Sequence, residues 1–358
     1  MKLISLVGAR PQFIKEAVIN WELRDSDIEE ILVHSGQHYD LNMSDVFFKT
    51  LNIKEPDYHL NVGSGTHAEM TAKIMVDFEK VVLKENPDLV VVYGDTNTTL
   101  AGAIVSAKLK IPVAHIEAGV RMEPKTMPEE INRVLTDRIS SLLFASSELC
   151  VRNLNKENIN DGVYFVGDTM YDLYLKMDKL FNADRLMSKY NLKKNEFVVV
   201  TVHRDYNTDD DAIFGKIIKS LNELAERIKV IFPMHPRAKK RLDSLNLKTK
   251  FQIIDPIGYL ELQGLVKNSK YIITDSGGLQ KESYFAGKRA VLLMPDTGWR
   301  ELVESGWNLL SSSEDLLLNC DKMEEKINYP KNLYGDGSSA EKIVEKIKEF
   351  LLRSETCK

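Results

Sequence analysis

The chain has 358 residues, 43% hydrophobic and 28% charged, which is too long for one comfortable core, suits two domains, and points to neither disorder nor a membrane protein. A formal net charge of −5 supplies no electrostatic reason for nucleic acid or an anionic membrane as partner, so specificity must come from a local pocket. Cys150, Cys320 and Cys357 are lone cysteines without CxxC spacing, which excludes a zinc ribbon and fits a reducing cytoplasm.

The opening MKLISLVGARPQ reads as a strand running into a turn, without the basic flank, long apolar stretch and cleavage site of a signal peptide. No apolar run reaches the roughly 18 residues of a membrane-spanning helix, so a cytoplasmic protein is expected. Proline is favoured at the first helical position, so Pro11 begins a helix with Arg10 at its mouth and Lys15 one turn inside. Arg10 there either serves the phosphates or sugar of a nucleotide sugar or pairs with a nearby acid. No GxGxxG is present, which counts against a nicotinamide or flavin cofactor. The next strand, EEILVH, ends at His34; Ser35-Gly36 separates it from His38, so the helical clamp of a zinc site is not available and no metal is expected.

Two further strands end in an acid: LVVVYGD closes on Asp95 and PVAHIE on Glu117. A third acidic group, Pro128-Glu129-Glu130-Ile131-Asn132-Arg133, opens the helix that follows. The ligand crevice of an open parallel sheet lies beyond the carboxyl ends of its strands, and carboxylates placed there suggest proton chemistry. The plainer reading makes Asp95 the cap of a helix beginning at Thr96, and Glu129 with Arg133 a surface i,i+4 pair. SLLFAS and VYFVG complete this first series of strands.

The pattern lapses between Gly167 and Lys193 into a charged helical stretch, which places the domains at 1–170 and 171–339. The second series is FVVVTVH, KVIFP, FQIID, KYIITD and RAVLLM. Apolar runs without polar alternation are strands buried on both faces, and with helices between them they imply an α/β protein of two doubly wound parallel sheets. Two such sheets facing each other make a cleft. His203 and His235 follow strands of this second half and fall at its crevice edge. After KYIIT comes Asp275-Ser276-Gly277-Gly278, where glycines and free N–H groups at a helix start attract a phosphate, although a serine followed by glycines is also ordinary helix punctuation. Glu282, about one and a half turns into that helix, is either in reach of a ribose hydroxyl or a solvated helix acid. The final SSAEKIVEKIKEFLL is an amphipathic helix, over about 340–355, expected to pack back across the first domain.

Gly8-Ala9-Arg10-Pro11, Ser35-Gly36-Gln37-His38, Gly94-Asp95-Thr96-Asn97-Thr98-Thr99, His115-Ile116-Glu117-Ala118-Gly119-Val120-Arg121, Pro128 to Arg133, Thr274-Asp275-Ser276-Gly277-Gly278 and Tyr334-Gly335-Asp336-Gly337 together resemble the non-hydrolysing UDP-N-acetylglucosamine 2-epimerases. The resemblance runs in order from residue 1 to about residue 340. It implies the GT-B architecture, two Rossmann-like domains with the active site in the cleft between them. It also implies a cytoplasmic homodimer that interconverts UDP-N-acetylglucosamine and UDP-N-acetylmannosamine with no added cofactor. The family is understood to eliminate UDP, leaving a 2-acetamidoglucal, and to add UDP back while a proton reaches the opposite face of C2. On this resemblance Asp95, Glu117, Glu129 and His203 are the catalytic candidates, with base and proton donor left unassigned. Arg10, Ser276, Gly277 and Gly278 are candidates for the diphosphate, Lys15, Arg133, His235 and Glu282 for other substrate contacts, and Gln37 with His38 for a second, activating nucleotide-sugar site. UDP is expected on the second domain and the sugar toward the acids of the first.

Several positions depart from the family pattern. The usual HRREN is here His203-Arg204-Asp205-Tyr206-Asn207. Where bacterial members have TERPE, this chain has Thr297-Gly298-Trp299-Arg300-Glu301, reminiscent of the branch acting on UDP-2,3-diacetamido-2,3-dideoxyglucuronic acid. The loop Gly63-Ser64-Gly65-Thr66-His67 lacks the glutamine that the second site uses. The diacetamido-uronate epimerase and a hydrolysing relative that releases free N-acetylmannosamine are the enzyme alternatives.

Overall fold

Runs such as Leu89–Tyr93 carry apolar side chains at every position, and the structure buries them on both faces. The structure, a computed structural model, describes residues 1–36 and 54–356 and divides into two units, Met1–Leu175 with Asn332–Lys358, and Lys176–Lys331. The candidate second-site residues Gln37 and His38 lie outside the described residues.

The first unit contains β1 (Lys2–Val7), β2 (Glu29–His34), β3 (Tyr58–His59), β4 (Leu89–Tyr93), β5 (Val113–Ala118), β6 (Leu142–Ala145) and β7 (Val163–Phe165). They pair in parallel in the order β3-β2-β1-β4-β5-β6-β7, so the order reverses between β1 and β4. That is the switch point at which a doubly wound sheet opens its crevice. Ile4, Leu6, Val90 and Val92 form one core with Ile74 and Phe78 of the helix His67–Glu85. The helix Asn97–Lys108 packs between His67–Glu85 and Pro128–Ile139. Gly102 lets this helix lie close on the sheet: a Cβ there would meet Leu6 Cδ2 at 2.5 Å.

The chain returns to this unit through Tyr334-Gly335-Asp336-Gly337. Asp168 N–H donates to Tyr334 O at 3.1 Å. Gly335, at φ +81°, passes so close that a Cβ would meet Gly167 Cα at 2.8 Å, which only glycine tolerates. The last helix, Ser339–Thr356, is fastened where Ala340 N–H donates to Asp172 Oδ2 at 2.7 Å, and it packs on the helix Arg10–Leu23.

The second unit contains β8 (Phe197–Thr201), β9 (Lys229–Pro233), β10 (Gln252–Ile254), β11 (Tyr271–Thr274), β12 (Ala290–Leu292) and β13 (Leu309–Leu310) in the parallel order β10-β9-β8-β11-β12-β13. Val198 and Val200 enter the core on one face, Phe197 and Val199 that on the other, the period-two alternation of a strand covered twice. Its switch point lies between β8 and β11. Among the described residues no helix is long and apolar enough to cross a membrane.

Candidate active site

At the first switch point the β1 and β4 turns are knit together by Gln12, a buried residue that the motifs did not single out. Its Oε1 accepts the N–H groups of Gly8 at 2.8 Å and Ala9 at 2.9 Å, while Nε2 donates to Tyr93 O at 2.8 Å. Gly8 is required here, because a Cβ would meet Ser35 Oγ at 2.1 Å. Arg10 opens the helix Arg10–Leu23 with Pro11 in its first turn.

Asp95 follows the β4 strand through Gly94. The cap of the next helix is Thr96, whose Oγ1 accepts from Thr99 N–H, so the Asp95 carboxylate is left for another task. Its partner is Arg133, whose Nη2 donates to Asp95 Oδ2. Asn132 Nδ2 holds the Asp95 carbonyl at 2.9 Å. Arg133 is mostly buried, and its other nitrogen, Nη1, donates to Glu130 Oε2 at 2.6 Å. The i,i+4 pairing with Glu129 suggested by sequence is therefore replaced by an i,i+3 pairing with Glu130, which also accepts Met122 N–H at 2.9 Å. Glu129 itself stands exposed in the first turn of Pro128–Ile139.

Glu117 ends β5 in an uncommon backbone conformation for a non-glycine residue, φ +73°, where the register against β6 slips between Ile116 and Ala118. The slip turns its carboxylate onto Lys15, Nζ to Oε1 2.7 Å, with both side chains largely buried. Gly94 lies beside this pair: a Cβ built there would be 3.4 Å from Lys15 Nζ and 3.5 Å from Glu117 Oε1. Lys15, Asp95, Glu117 and Arg133 thus belong to one cluster at the β4 and β5 ends, two carboxylates each facing a cation. Each carboxylate is thereby held in place by a charge-assisted hydrogen bond.

In the second unit His203 follows β8, half exposed, with Nδ1 2.8 Å from Asp275 Oδ1. Asp275 is fully buried after β11 and also accepts the backbone N–H groups of His203 and Arg204, each at 2.9 Å, and Asn207 Nδ2 at 3.0 Å. Burial raises its pKa, but the hydrogen bond and charge of His203, with Asn207 and the Arg204 amide, outweigh burial and hold it below the usual carboxylate range. A carboxylate on Nδ1 fixes the ring and turns Nε2 outward. The next residue, Ser276, caps the helix Gly277–Phe285 by accepting Leu279 N–H at 3.3 Å. Gly277 and Gly278 form its first turn, and a Cβ on Gly277 would meet nothing within 4 Å, so the backbone there is open to a ligand. Glu282 is buried and receives Gln263 Nε2 at 2.7 Å, which makes it no solvated helix acid. His235 is exposed, and its Nδ1 accepts Arg237 N–H at 3.3 Å as the cap of Pro236–Ser244. The departing segment after β12 packs on the Ser276-Gly277 turn: Trp299 Nε1 donates to Gly277 O at 3.1 Å, and Lys281 Nζ stands 3.6 Å over the Trp299 ring. Arg300 is half exposed and paired with Asp296 at 2.7 Å.

No group of three or more His, Cys, Asp or Glu side chains among the described residues is arranged to hold a metal.

Two doubly wound parallel sheets, each with its polar residues gathered at the switch point, define an α/β protein of the GT-B class. The sequence profile of the UDP-N-acetylglucosamine 2-epimerases matches residues 22–348, and the chain belongs to that family of C2 epimerases. It is 45% identical to a UDP-N-acetylglucosamine 2-epimerase homolog of Methanococcus maripaludis, over 98% of this chain and 100% of that protein. It is 42% identical to the UDP-2,3-diacetamido-2,3-dideoxy-D-glucuronate 2-epimerase of Pseudomonas aeruginosa, over 96% of this chain and 99% of that one. The crystal structure of the Methanocaldococcus jannaschii UDP-N-acetylglucosamine 2-epimerase, in complex with UDP-N-acetylglucosamine and UDP, matches with a TM-score of 0.86 at 42% identity, covering 98% of this chain and 100% of that one.

Proposed function

We propose that the chain is a non-hydrolysing epimerase that interconverts UDP-N-acetylglucosamine and UDP-N-acetylmannosamine. The observation that carries this reading is the pair of carboxylates at adjacent strand ends, each held by a cation, Asp95 on Arg133 and Glu117 on Lys15. Elimination needs a base for the proton on C2: the C2–H bond breaks, its electron pair forms the C1=C2 double bond, and the C1–O bond releases UDP with the other pair. Return from the opposite face needs a proton at C2 while the UDP oxygen attacks C1. Asp95, Glu117 and exposed Glu129 supply these proton transfers, each worth roughly 10²–10⁴-fold when positioned. Ser276, Gly277 and Gly278 present helix-start N–H groups to the leaving diphosphate, with His203, oriented by Asp275, assisting the departure. Arg10 adds a cation for the same charge, and Lys15 and Arg133 act through the acids they hold.

The diacetamido-uronate is the second reading, favoured by the 42% identity to the Pseudomonas aeruginosa enzyme and by the Trp299-Arg300 segment. A C6 carboxylate needs a cation to offset its desolvation. Arg300 already has Asp296 at 2.7 Å, which supports the plain sugar. The two sugars are separated by measuring kcat/KM on both: the plain substrate should be preferred, and Arg300→Ala should leave its turnover within about threefold, the scale of a surface pair. A strong preference for the uronate that is lost in Arg300→Ala would reverse the assignment, and free N-acetylmannosamine as the product would make the enzyme a hydrolysing one.

A homodimer is part of the proposal. Ile131, Leu135 and Ile139 fall on one stripe of Pro128–Ile139 and are 38–46% exposed, and Val76 and Leu83 on His67–Glu85 are more exposed still. An apolar surface of this kind favours a second copy of the chain.

A further inference from the structure

His115 belongs to a motif that the proposed chemistry leaves without a task. Its ring is fully buried on β5, so it cannot touch a substrate. Nε2 lies 2.7 Å from Gly94 O, and because a carbonyl only accepts, this nitrogen carries hydrogen. Nδ1 lies 2.7 Å from Oδ1 of Asp137, which is also buried. The second oxygen of Asp137 accepts Gly119 N–H at 3.1 Å and Arg121 Nη1 at 2.7 Å, and Arg121 Nε is anchored on Glu157 Oε1 at 2.7 Å.

The two backbone groups gripped by this network flank the acids. Gly94 immediately precedes Asp95, and Gly119 follows Glu117 by two residues. Gly94, Glu117 and Gly119 all have left-handed backbone, at φ +63°, +73° and +81°. Glycine adopts this conformation freely, but in Glu117 it persists only where the surroundings over-determine it. Asn153 Nδ2 adds a grip on Gly119 O at 3.0 Å, and Gly94 N–H donates to Ile116 O at 2.9 Å.

We propose that His115 and Asp137 are positioning residues that hold Asp95 and Glu117 in register for proton transfer, the ring gripping the Gly94 carbonyl and the carboxylate the Gly119 amide, an inference that rests on reading those two acids as the acid–base pair. The network is continuous: Glu157 fixes Arg121, Arg121 fixes Asp137, and Asp137 fixes the ring that sets the Gly94–Asp95 turn.

His115→Asn keeps a polar group toward Asp137 and vacates the Nε2 position, whereas His115→Gln places an amide nitrogen near it. The Asn variant should lose about 10²-fold in kcat, the scale of a misplaced reacting group, while KM and calorimetric affinity for UDP stay within a few-fold. The Gln variant should recover about tenfold of that loss. Adding His115→Asn to Asp95→Asn should cost little beyond Asp95→Asn alone, since groups that act as a unit are not additive. Normal kcat in folded His115→Asn overturns the proposal, and so does a double variant in which the two losses multiply. If His115→Asn does not fold by circular dichroism, His115→Gln and Asp137→Asn are read on the same scale. Failure of all three to fold assigns the pair to stability alone and overturns the positioning role. Asp95→Asn and Glu117→Gln measured alongside separate the two levels: normal turnover in those variants sinks the acid–base reading itself, whereas their inactivity beside a normal His115→Asn sinks only the positioning.

Discussion

Glu117 bears two constraints at once, a left-handed backbone and a nearly buried contact with Lys15. Removing one partner of a buried pair typically costs about 3–5 kcal/mol because the other charge is left alone. Lys15→Met should therefore lower unfolding free energy by about 3 kcal/mol, reduced somewhat by the residual exposure of Glu117. Combining it with Glu117→Gln should recover most of that stability without restoring turnover, as read by denaturant unfolding and an epimerase assay. Recovery of both would mean that Glu117 has no part in the chemistry. Asp95→Asn, Glu117→Gln, Glu129→Gln and His203→Ala should each reduce turnover by about 10²-fold or more. Near-normal rates in any two of the acid variants would show the site to be misassigned. Asp95 and Glu117 stood out as candidates in sequence because each follows a strand end, where position alone suggests a role, whereas Glu129 was marked only by the motif that opens its helix. Their partners were not: Asp275 meets His203 from 72 residues away and Asp137 meets His115 from 22, contacts that only the tertiary fold creates. Arg133 passes over Glu129 for Glu130 because Glu130 turns inward to the Met122 amide as well, which helical spacing by itself does not reveal.

The helices and strands were legible where they were long and uniformly apolar, as in Leu89–Tyr93 and Phe197–Thr201. The edge strands β3 and β13, two residues each, carry too few residues for any periodicity. The Tyr334 to Gly337 motif was read only as a family mark, yet its glycine serves a chain crossing. Gly335→Ala should destabilise the first unit by about 1–3 kcal/mol, because the opposing atom is Gly167 backbone and cannot move aside; an unchanged melting temperature would refute the crossing as a constraint. The inner face of the helix Arg10–Leu23 holds a second feature that sequence did not disclose. Glu16 is fully buried there, near Glu30, which accepts Ser5 Oγ at 2.5 Å and Asn20 Nδ2 at 2.7 Å, and near Tyr93. Burial first, and the Glu30 carboxyl second, raise the Glu16 pKa well above the usual value, against the opposing charges of Arg24 and Lys54. A carboxyl with a raised folded pKa favours the folded state at low pH, and that contribution is lost as pH rises from its unfolded toward its folded pKa. Glu16→Gln removes the titration, so the melting temperature of the variant minus that of the natural chain should increase from pH 5 to pH 9. A difference independent of pH would show that Glu16 does not titrate in this range.

Across the whole molecule, the two sheets repeat one design, with polar residues gathered where strand order reverses: Gly94-Asp95 beside β1 and β4, and Asp275-Ser276 beside β8 and β11. If the exposed apolar stripe joins two copies, Ile131→Asp with Leu135→Asp should convert the dimer to a monomer in sedimentation, and a species that is monomeric before substitution would remove that part of the account. Loss and return of UDP would exchange the C2 proton with solvent, and that exchange is directly measurable. Incubated with UDP-N-acetylglucosamine in heavy water, the protein should yield both UDP-N-acetylglucosamine and UDP-N-acetylmannosamine carrying deuterium at C2, with no free sugar. UDP-N-acetylmannosamine that retains its original C2 hydrogen would contradict the elimination and re-addition, and unchanged, unlabelled substrate would contradict the epimerase reading of this site for that sugar.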